Sequence, residues 1–331
     1  MSKLKSIAST RVNVNKTPGF ENGDIGSTLR DKPAAIAADP VPCITPNHWS
    51  NYPDYKPLAK TSINEIYLKN QLGSLGNLIG TWRSTPQNGY SVMPIPCAEN
   101  NSGYKLDTFF YYEEISFSII AENGTNDTSG ESYSLYYEQS IFFSDGPLKD
   151  QLAHSEKGTF LHLSAGSHSA ENDMFSPVIV KQISAPNGNS IFVDGTCKTT
   201  EEPPEIPDAS SLPSDAPHRL RLLYGPDTPY NPRINPNIVL QGALSLVPDE
   251  IERTTLLHLS SRNFDSAINM SYMKHPINIS SIDQKIWIEE FSNGTLQIQY
   301  SQNTSMNYAL KNTSDVITFQ HIFANTLRKI R

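Results

Sequence analysis

Cysteine is scarce in this sequence. Only three occur in 331 residues, Cys43, Cys97 and Cys197, and their spacing matches no metal-ligand motif. We interpret them as ordinary thiols in a reducing compartment. The N-terminal segment Met1–Ile7 has basic side chains but no apolar stretch behind them, so it does not resemble a secretory signal. Together these observations predict a cytoplasmic protein.

Long apolar runs and positive charge are also lacking. No stretch approaches the roughly 20 consecutive apolar residues that a transmembrane helix needs. The formal net charge of −8 and the pI near 5.5 offer no positive face for a phosphate backbone. We therefore predict a soluble chain with no membrane span and no nucleic-acid partner. A hydrophobic content of 37% together with 24 prolines predicts a core accompanied by long loops.

Proline divides the chain into regions of different character. Seven prolines between Pro18 and Pro57, without sustained apolar periodicity, predict an extended N-terminal arm over residues 1–60. We expect residues 61–331 to form a single β-barrel domain. Within it, prolines recur between about 199 and 237. Because proline is excluded from the middle of a sheet, this stretch is predicted to be a long surface excursion.

Segments rich in β-branched and aromatic residues, separated by turn clusters, fill the rest of the chain. The plainest of them are 108–120, 133–143, 158–163, 178–183, 190–195, 254–259, 286–291 and 296–301. Asn293-Gly294 joins the last two, and Asn-Gly is the strongest short hairpin signal. Seven or more meandering strands favour a closed barrel, because closure removes exposed edges. The predicted fold is all-β, an antiparallel calycin-type barrel of about ten strands.

Short helices are predicted before the first strand and at the C-terminus. Apolar residues between Ile63 and Leu75 recur at intervals of three and four, which is typical of a helix that ends before Gly76. Basic residues follow a second apolar stripe close to the chain end, which favours a terminal helix over residues 319–330. The members of that stripe are Phe319, Ile322, Phe323, Leu327 and Ile330.

Three motifs give the sequence a resemblance to a known family. Gly80-Thr81-Trp82 is the G-x-W signature of lipocalins and fatty-acid-binding proteins, and the longer segment 75–83 resembles the first strand of nitrobindin-like haem-binding proteins. The segment Phe110–Phe117 is similar to that family's aromatic-Tyr-Glu-Glu strand. His321, followed by Leu327, resembles its closing histidine motif. The three motifs occur in the family's order.

The resemblance implies a ten-stranded barrel of the fatty-acid-binding type that carries haem b. It implies that His321 is the axial ligand of the haem iron, and imidazole is a suitable ligand for iron. The implied function is to sense nitric oxide or peroxynitrite, or to act on them with a peroxynitrite isomerase-like or peroxidase-like activity. The same resemblance assigns barrel closure to Gly80, Trp82 and Arg328, with a basic side chain stacked on the indole ring.

Other polar residues lie in predicted strands without forming a recognisable catalytic set. His162 and His258 each lie in an apolar strand and are candidates for groups that line a cavity. His154 and His162 are eight residues apart, which is too long for a compact metal pair. Glu113 and Glu114 are adjacent, so their side chains point to opposite faces of a strand and cannot form an acid/base pair.

Two further functions stay open on the sequence. After Trp82 the family pattern continues with glycines, whereas this chain has the segment 83–86, Arg-Ser-Thr-Pro. The first alternative is a lipocalin-like carrier whose cavity holds an apolar small molecule and in which His321 is structural. The second is a barrel enzyme acting on such a molecule, for which the sequence contains no recognised catalytic motif. The expected partner is therefore haem or another apolar small molecule.

Overall fold

Almost every described segment of the chain is a β-strand. The computed structural model describes residues 67, 70–97, 104–120, 132–163, 179–185, 190–213, 234–247, 249–261, 267–268, 278–309 and 316–330. The predicted N-terminal arm and most of the predicted first helix lie outside these residues. Within them, no helix is both long enough and apolar enough to cross a bilayer.

Twelve strands of the described chain belong to one sheet. They are β1 (Gly80–Arg83), β2 (Gly89–Pro96), β3 (Tyr104–Ile120), β4 (Ser132–Phe143), β5 (Leu152–Leu163), β6 (Ile179–Ser184), β7 (Ser190–Thr200), β8 (Ile251–Ser260), β9 (Ala267–Ile268), β10 (Asn278–Phe291), β11 (Leu296–Ala309) and β12 (Val316–Lys329). A 3-10 helix (Gly73–Leu78) precedes β1, and a second (Gly146–Leu148) joins β4 to β5. The α-helix α1 (Ile238–Ser245) precedes β8.

The sheet closes on itself. From β3 to β12, consecutive strands are antiparallel neighbours, except that β9 is a two-residue addition beside β7. Both β1 and β2 pair with β3 on one side and with β12 on the other, so they share one position in the ring. The result is a closed ten-stranded antiparallel barrel of calycin type, as the sequence predicts.

Two local predictions from the sequence are confirmed. The Asn-Gly hairpin joins β10 to β11, and the Gly294 N–H donates to the Phe291 carbonyl oxygen at 2.8 Å. In β3 the two adjacent carboxylates point to opposite faces. Glu113 is fully buried inside the barrel, whereas Glu114 forms an ion pair with Arg83 at the surface.

The predicted C-terminal helix is wrong, because residues 316–329 form strand β12. Phe319 and Leu327 belong to the barrel core, while Ile322 and Ala324, at positions of the opposite parity, are also buried. A strand that is buried on both faces loses the period-two alternation of apolar and polar residues. The remaining apolar spacing then resembles that of a helix.

One end of the barrel is closed by the first 3-10 helix. Its residues Leu75 and Leu78 pack with Trp82 in the main core, and all three side chains are fully buried. The indole N–H of Trp82 donates to the Leu78 carbonyl oxygen at 2.6 Å. Gly80, with φ of +116°, supplies a backbone conformation that other residues rarely adopt. Gly80 and Trp82 thus lie at the closed end, where the sequence places them.

The basic side chain over the Trp82 ring belongs to Lys329 and not to Arg328. The ammonium nitrogen of Lys329 lies 5.4 Å from the ring centroid, within the range of a cation–π contact. Arg328 lies over the Phe291 ring instead, at 4.6 Å, and is largely exposed. Neighbouring residues of a strand point to opposite faces, so Lys329 points toward the indole ring and Arg328 points away from it.

The described part of the Pro-rich excursion and the helix that follows it lie against the outer wall of the barrel. In its described part, residues 201–213 and helix α1 contribute Ile206 and Leu240 to a small second core. These side chains pack against Trp287 of β10 and Ala324 of β12. This cover buries Trp287 and Ala324 on the outer faces of their strands.

Candidate functional site

A cavity lies at the end of the barrel opposite to Trp82. Its volume is about 100 Å³, and it is partly open to solvent. Its wall is mainly apolar and includes Met93, Phe109, Ile183, Ile282, Met306 and Phe323. Along β12, eight residues separate His321 at this cavity from Lys329 at the closed end, or about 26 Å at about 3.3 Å per residue.

Glu156, a lining residue of the cavity, belongs to a buried ion pair. Lys181 of β6 donates from its ammonium group to Oε1 of Glu156 on β5 at 3.0 Å. The hydroxyl of Tyr137 donates to the same oxygen at 2.7 Å, and Lys181 also donates to Gln284 Oε1 at 3.1 Å. Glu156 and Lys181 are 5% and 3% exposed. Each charge therefore has close partners in a region of low dielectric constant.

The carboxylate of Glu156 is ionised in this setting. Burial is the largest single effect and raises its pKa, but Lys181, His154 and Tyr137 lower the pKa and together outweigh burial. The pKa of Glu156 consequently lies well below its ordinary value. His154 Nε2 is 3.8 Å from Glu156 Oε2, and both residues line the cavity. Glu156 thus presents an anionic hydrogen-bond acceptor to a mainly apolar cavity, whose wall also includes His154, Gln302, Thr304 and His321.

His321 lines the same cavity. Its side chain is 6% exposed, and Nε2 lies 3.2 Å from the hydroxyl oxygen of Ser91 on β2. The imidazole also packs on Phe323, with 4.0 Å between the ring centroids. The structure therefore places the predicted histidine at the cavity, fixed by a strand on each side.

The other two candidate histidines do not line this cavity. His162 lies at the opposite end of β5, where its ring packs on Gly73 of the first 3-10 helix and burial lowers its pKa. The side chain of His258 is 45% exposed, with Nε2 3.1 Å from Asp283 Oδ2. Leu257 and Leu259 occupy the inward positions on either side of it, so His258 points outward.

The cavity is too small to enclose a haem. Pockets that hold drug-sized ligands measure about 300–1,000 Å³, and a porphyrin is larger than most such ligands. The volume found here is about 100 Å³. Ile183, Ile282 and Phe323 line this space. His321 is thus a suitable ligand by chemistry, but the space in front of it is too small for the group.

A second buried polar cluster lies deeper in the barrel. Tyr300 donates to Glu113 Oε2 at 2.7 Å, and Gln139 donates to the same oxygen at 3.0 Å. The hydroxyl of Tyr111 lies 3.0 Å from that of Tyr300. Burial raises the pKa of Glu113 to about 7, against the lowering effect of these hydrogen bonds. None of these residues lines the cavity, so we assign the cluster to the barrel wall and not to the site.

The sequence interpretation missed Glu156 and Lys181. Lys181 has one detectable signal, because it alternates with Ile179 and Ile183 on the apolar face of a strand, where lysine is rare unless paired. Its partner lies on another strand, and only the pairing of β5 with β6 brings the two together. A single sequence does not reveal that register.

Comparison of this chain with family models, with curated proteins and with solved structures gives no match.

Proposed function

We propose that this barrel binds a small, mainly apolar molecule in the cavity at its open end. The observation that carries the proposal is the cavity itself, a concave and largely apolar space with a few convergent polar groups. Among the described residues, Trp82 and the leucines of the 3-10 helix fill the closed end, so a ligand would enter from the other end. This is the carrier function that the sequence left open beside the haem function.

The volume limits the size of the ligand. An enclosed apolar cavity of about 150 Å³ in a protein binds benzene. The present cavity is about 100 Å³ and is continuous with solvent, so a molecule with one ring or a short branched chain matches it. A long acyl chain is too large for this volume.

Calorimetric titration with toluene tests this proposal. We expect saturable binding with one site per chain. We also expect loss of binding in the Ala185→Phe variant, because Ala185 lines the cavity and the larger side chain would occupy its volume. Ala243→Phe is the matched control, because Ala243 lies on α1 outside the cavity and the same side chain is added there. Absence of toluene binding in the unmodified protein would contradict the proposal.

A haem centre at His321 is a second proposal, supported by the position of that side chain on the cavity wall. The small volume opposes it. The proposed sensing or conversion of nitric oxide and peroxynitrite requires this haem, so it too is supported only by the position of His321. Adding stoichiometric haem to the purified protein separates the two proposals. A Soret band that moves in the His321→Ala variant supports haem ligation. A spectrum identical to that of free haem contradicts haem ligation and favours the apolar ligand.

A further inference from the structure

The two oxygens of the Glu156 carboxylate have different surroundings. Oε1 accepts hydrogen bonds from Lys181 at 3.0 Å and from Tyr137 at 2.7 Å. Oε2 lies 3.8 Å from His154 Nε2, which is beyond the length of a hydrogen bond. The carboxylate is ionised and is therefore an acceptor at both oxygens. Oε2 thus has capacity for a donor from a molecule in the cavity that Glu156 lines.

The charge of the wall indicates which donor is suitable. Lys181 neutralises Glu156, both are nearly completely buried, and His154 Nε2 lies 3.8 Å from the second carboxylate oxygen. A ligand ammonium group would add an uncompensated charge to a space of low dielectric constant, which is costly. A ligand carboxylate would be repelled by Glu156. An uncharged group that donates a hydrogen bond meets neither obstacle.

We infer that the ligand of this cavity carries a hydroxyl group, which donates a hydrogen bond to Oε2 of Glu156 while the apolar part of the molecule packs between Ile183, Ile282 and Phe323. This inference rests on the proposed function, because it names the class of ligand for the same cavity. The class is small alcohols and phenols. His154 borders the same oxygen and limits the position of the hydroxyl group.

The energetic consequence is discrimination between ligands of similar shape. A hydroxyl ligand satisfies Oε2, whereas a hydrocarbon of the same shape shields that oxygen from water without replacing the hydrogen bond. Sites that are built to bond a ligand hydroxyl reject the analogue that lacks it for this reason. Because hydrogen bonds to charged groups are the stronger ones, we expect phenol to bind at least about tenfold more tightly than toluene.

The test compares phenol, toluene and fluorobenzene by calorimetric titration of the full chain. Phenol donates a hydrogen bond, toluene does not, and fluorobenzene is polar but has no donor. A preference of about tenfold for phenol over both others is the expected result. Equal affinities would overturn the inference and leave the proposed function intact. If no compound binds, the proposed function fails and the inference fails with it.

A variant then assigns the preference to Glu156. The double substitution Glu156→Gln with Lys181→Met removes both charges and avoids leaving either one buried alone. We expect the affinity ratio of phenol to toluene to fall to within about threefold of unity, because a hydrogen bond to a neutral group is weaker. Tyr112→Phe, on the outer face, is the control and keeps the ratio of the unmodified protein. A tenfold preference retained in the double variant would overturn the role of Glu156.

If the double variant does not fold, the comparison of phenol with fluorobenzene in the unmodified protein still decides whether a donor is recognised. A preference of less than about twofold in that comparison refutes the hydroxyl assignment without any variant.

Discussion

The hydroxyl of Tyr300 donates a hydrogen bond to the carboxylate of Glu113, with 2.7 Å between Oη and Oε2, in the fully buried wall of the barrel. The two residues are 187 positions apart in the chain. Burial raises the pKa of Glu113 to about 7, so this carboxyl group titrates close to neutral pH. The stability of the barrel is therefore coupled to pH through a pair that no local sequence pattern reveals.

Removal of this hydroxyl in Tyr300→Phe is expected to destabilise the fold more at high pH than at low pH. A raised folded-state pKa means that the neutral form of Glu113 is favoured on folding. That stability is complete below about pH 4.5 and is lost as pH rises through about 7. Tyr300 reduces the loss by bonding the charged form. We expect a cost of about 1 kcal/mol at pH 5.5 and about 2–3 kcal/mol at pH 9.

Urea unfolding at these two pH values measures the difference. Tyr308→Phe is the matched control, because the Tyr308 hydroxyl donates to the backbone carbonyl of Pro94, so its loss should cost the same at both pH values. Equal costs for Tyr300→Phe at pH 5.5 and 9 would refute the coupling to Glu113.

Glu289→Gln is expected to flatten the pH dependence of stability. Glu289 is fully buried, and burial raises its pKa to about 8, against the lowering effects of Gln297 and Arg328. Stability from its neutral form is complete below about pH 4.5 and is lost as pH rises through about 8. At about 1.4 kcal/mol per pH unit, its ionisation costs about 3 kcal/mol between pH 6 and pH 9.

Urea unfolding of the unmodified protein and of Glu289→Gln measures this difference. In the glutamine variant the free energy of unfolding should lack the part of its decline between pH 6 and pH 9 that the ionisation of Glu289 causes. Glu252→Gln makes the same change of charge at an exposed position of β8 and should leave the decline unaltered. An unchanged pH profile in Glu289→Gln would contradict the assignment.

Lys181→Met is expected to destabilise the barrel strongly at pH 7, and the added substitution Glu156→Gln is expected to restore most of the loss. The single change leaves an ionised carboxylate buried without its cation, which costs about 3–5 kcal/mol. Because the folded-state pKa of Glu156 is lowered, the stability from its charged form is present above about pH 4.5 and is lost as pH falls further. The double-mutant cycle, measured by urea unfolding, should therefore show a large coupling energy. Additive effects would contradict a direct ion pair.

Gly158→Ala is expected to prevent folding or to cost at least about 3 kcal/mol. A Cβ atom at Gly158 would lie 1.9 Å from the carbonyl oxygen of Gln182 on β6, which is backbone and has no room to move. Gly242→Ala on α1 is the control. A Cβ atom there meets nothing within 4 Å, so alanine should stabilise the helix by about 0.5–1 kcal/mol. Thermal unfolding of both variants checks this pair. A Gly158→Ala protein as stable as the unmodified chain would contradict the β5–β6 register.

The barrel is predictable from the sequence because its signals are local. Strand segments and the Asn-Gly hairpin each depend on a few neighbouring positions, and the structure confirms them. His321 was singled out by resemblance to a family motif alone, and its side chain lines the cavity. The apolar spacing of β12 resembles that of a helix because apolar side chains are buried on both faces of the strand.

The ion pair of Glu156 and Lys181 at the cavity is not predictable from local sequence signals. Glu156 and Lys181 are 25 residues apart and meet only when β5 and β6 pair in one register. Shifting that register by one residue would turn one of the two side chains outward. Likewise, the choice between Arg328 and Lys329 at the indole ring depends on which face of β12 is inside, and the sequence alone does not fix that parity.

The most direct test of the account is a toluene titration observed through the methyl signals of methionine. Met93 and Met306 both line the cavity, and Met93→Leu and Met306→Leu assign their signals in spectra of the methyl-labelled protein. We predict that both signals shift, through the ring current of the bound toluene, and saturate with one common dissociation constant. If neither signal moves at toluene concentrations up to its solubility limit, the cavity does not bind a small apolar molecule and the proposed function is wrong.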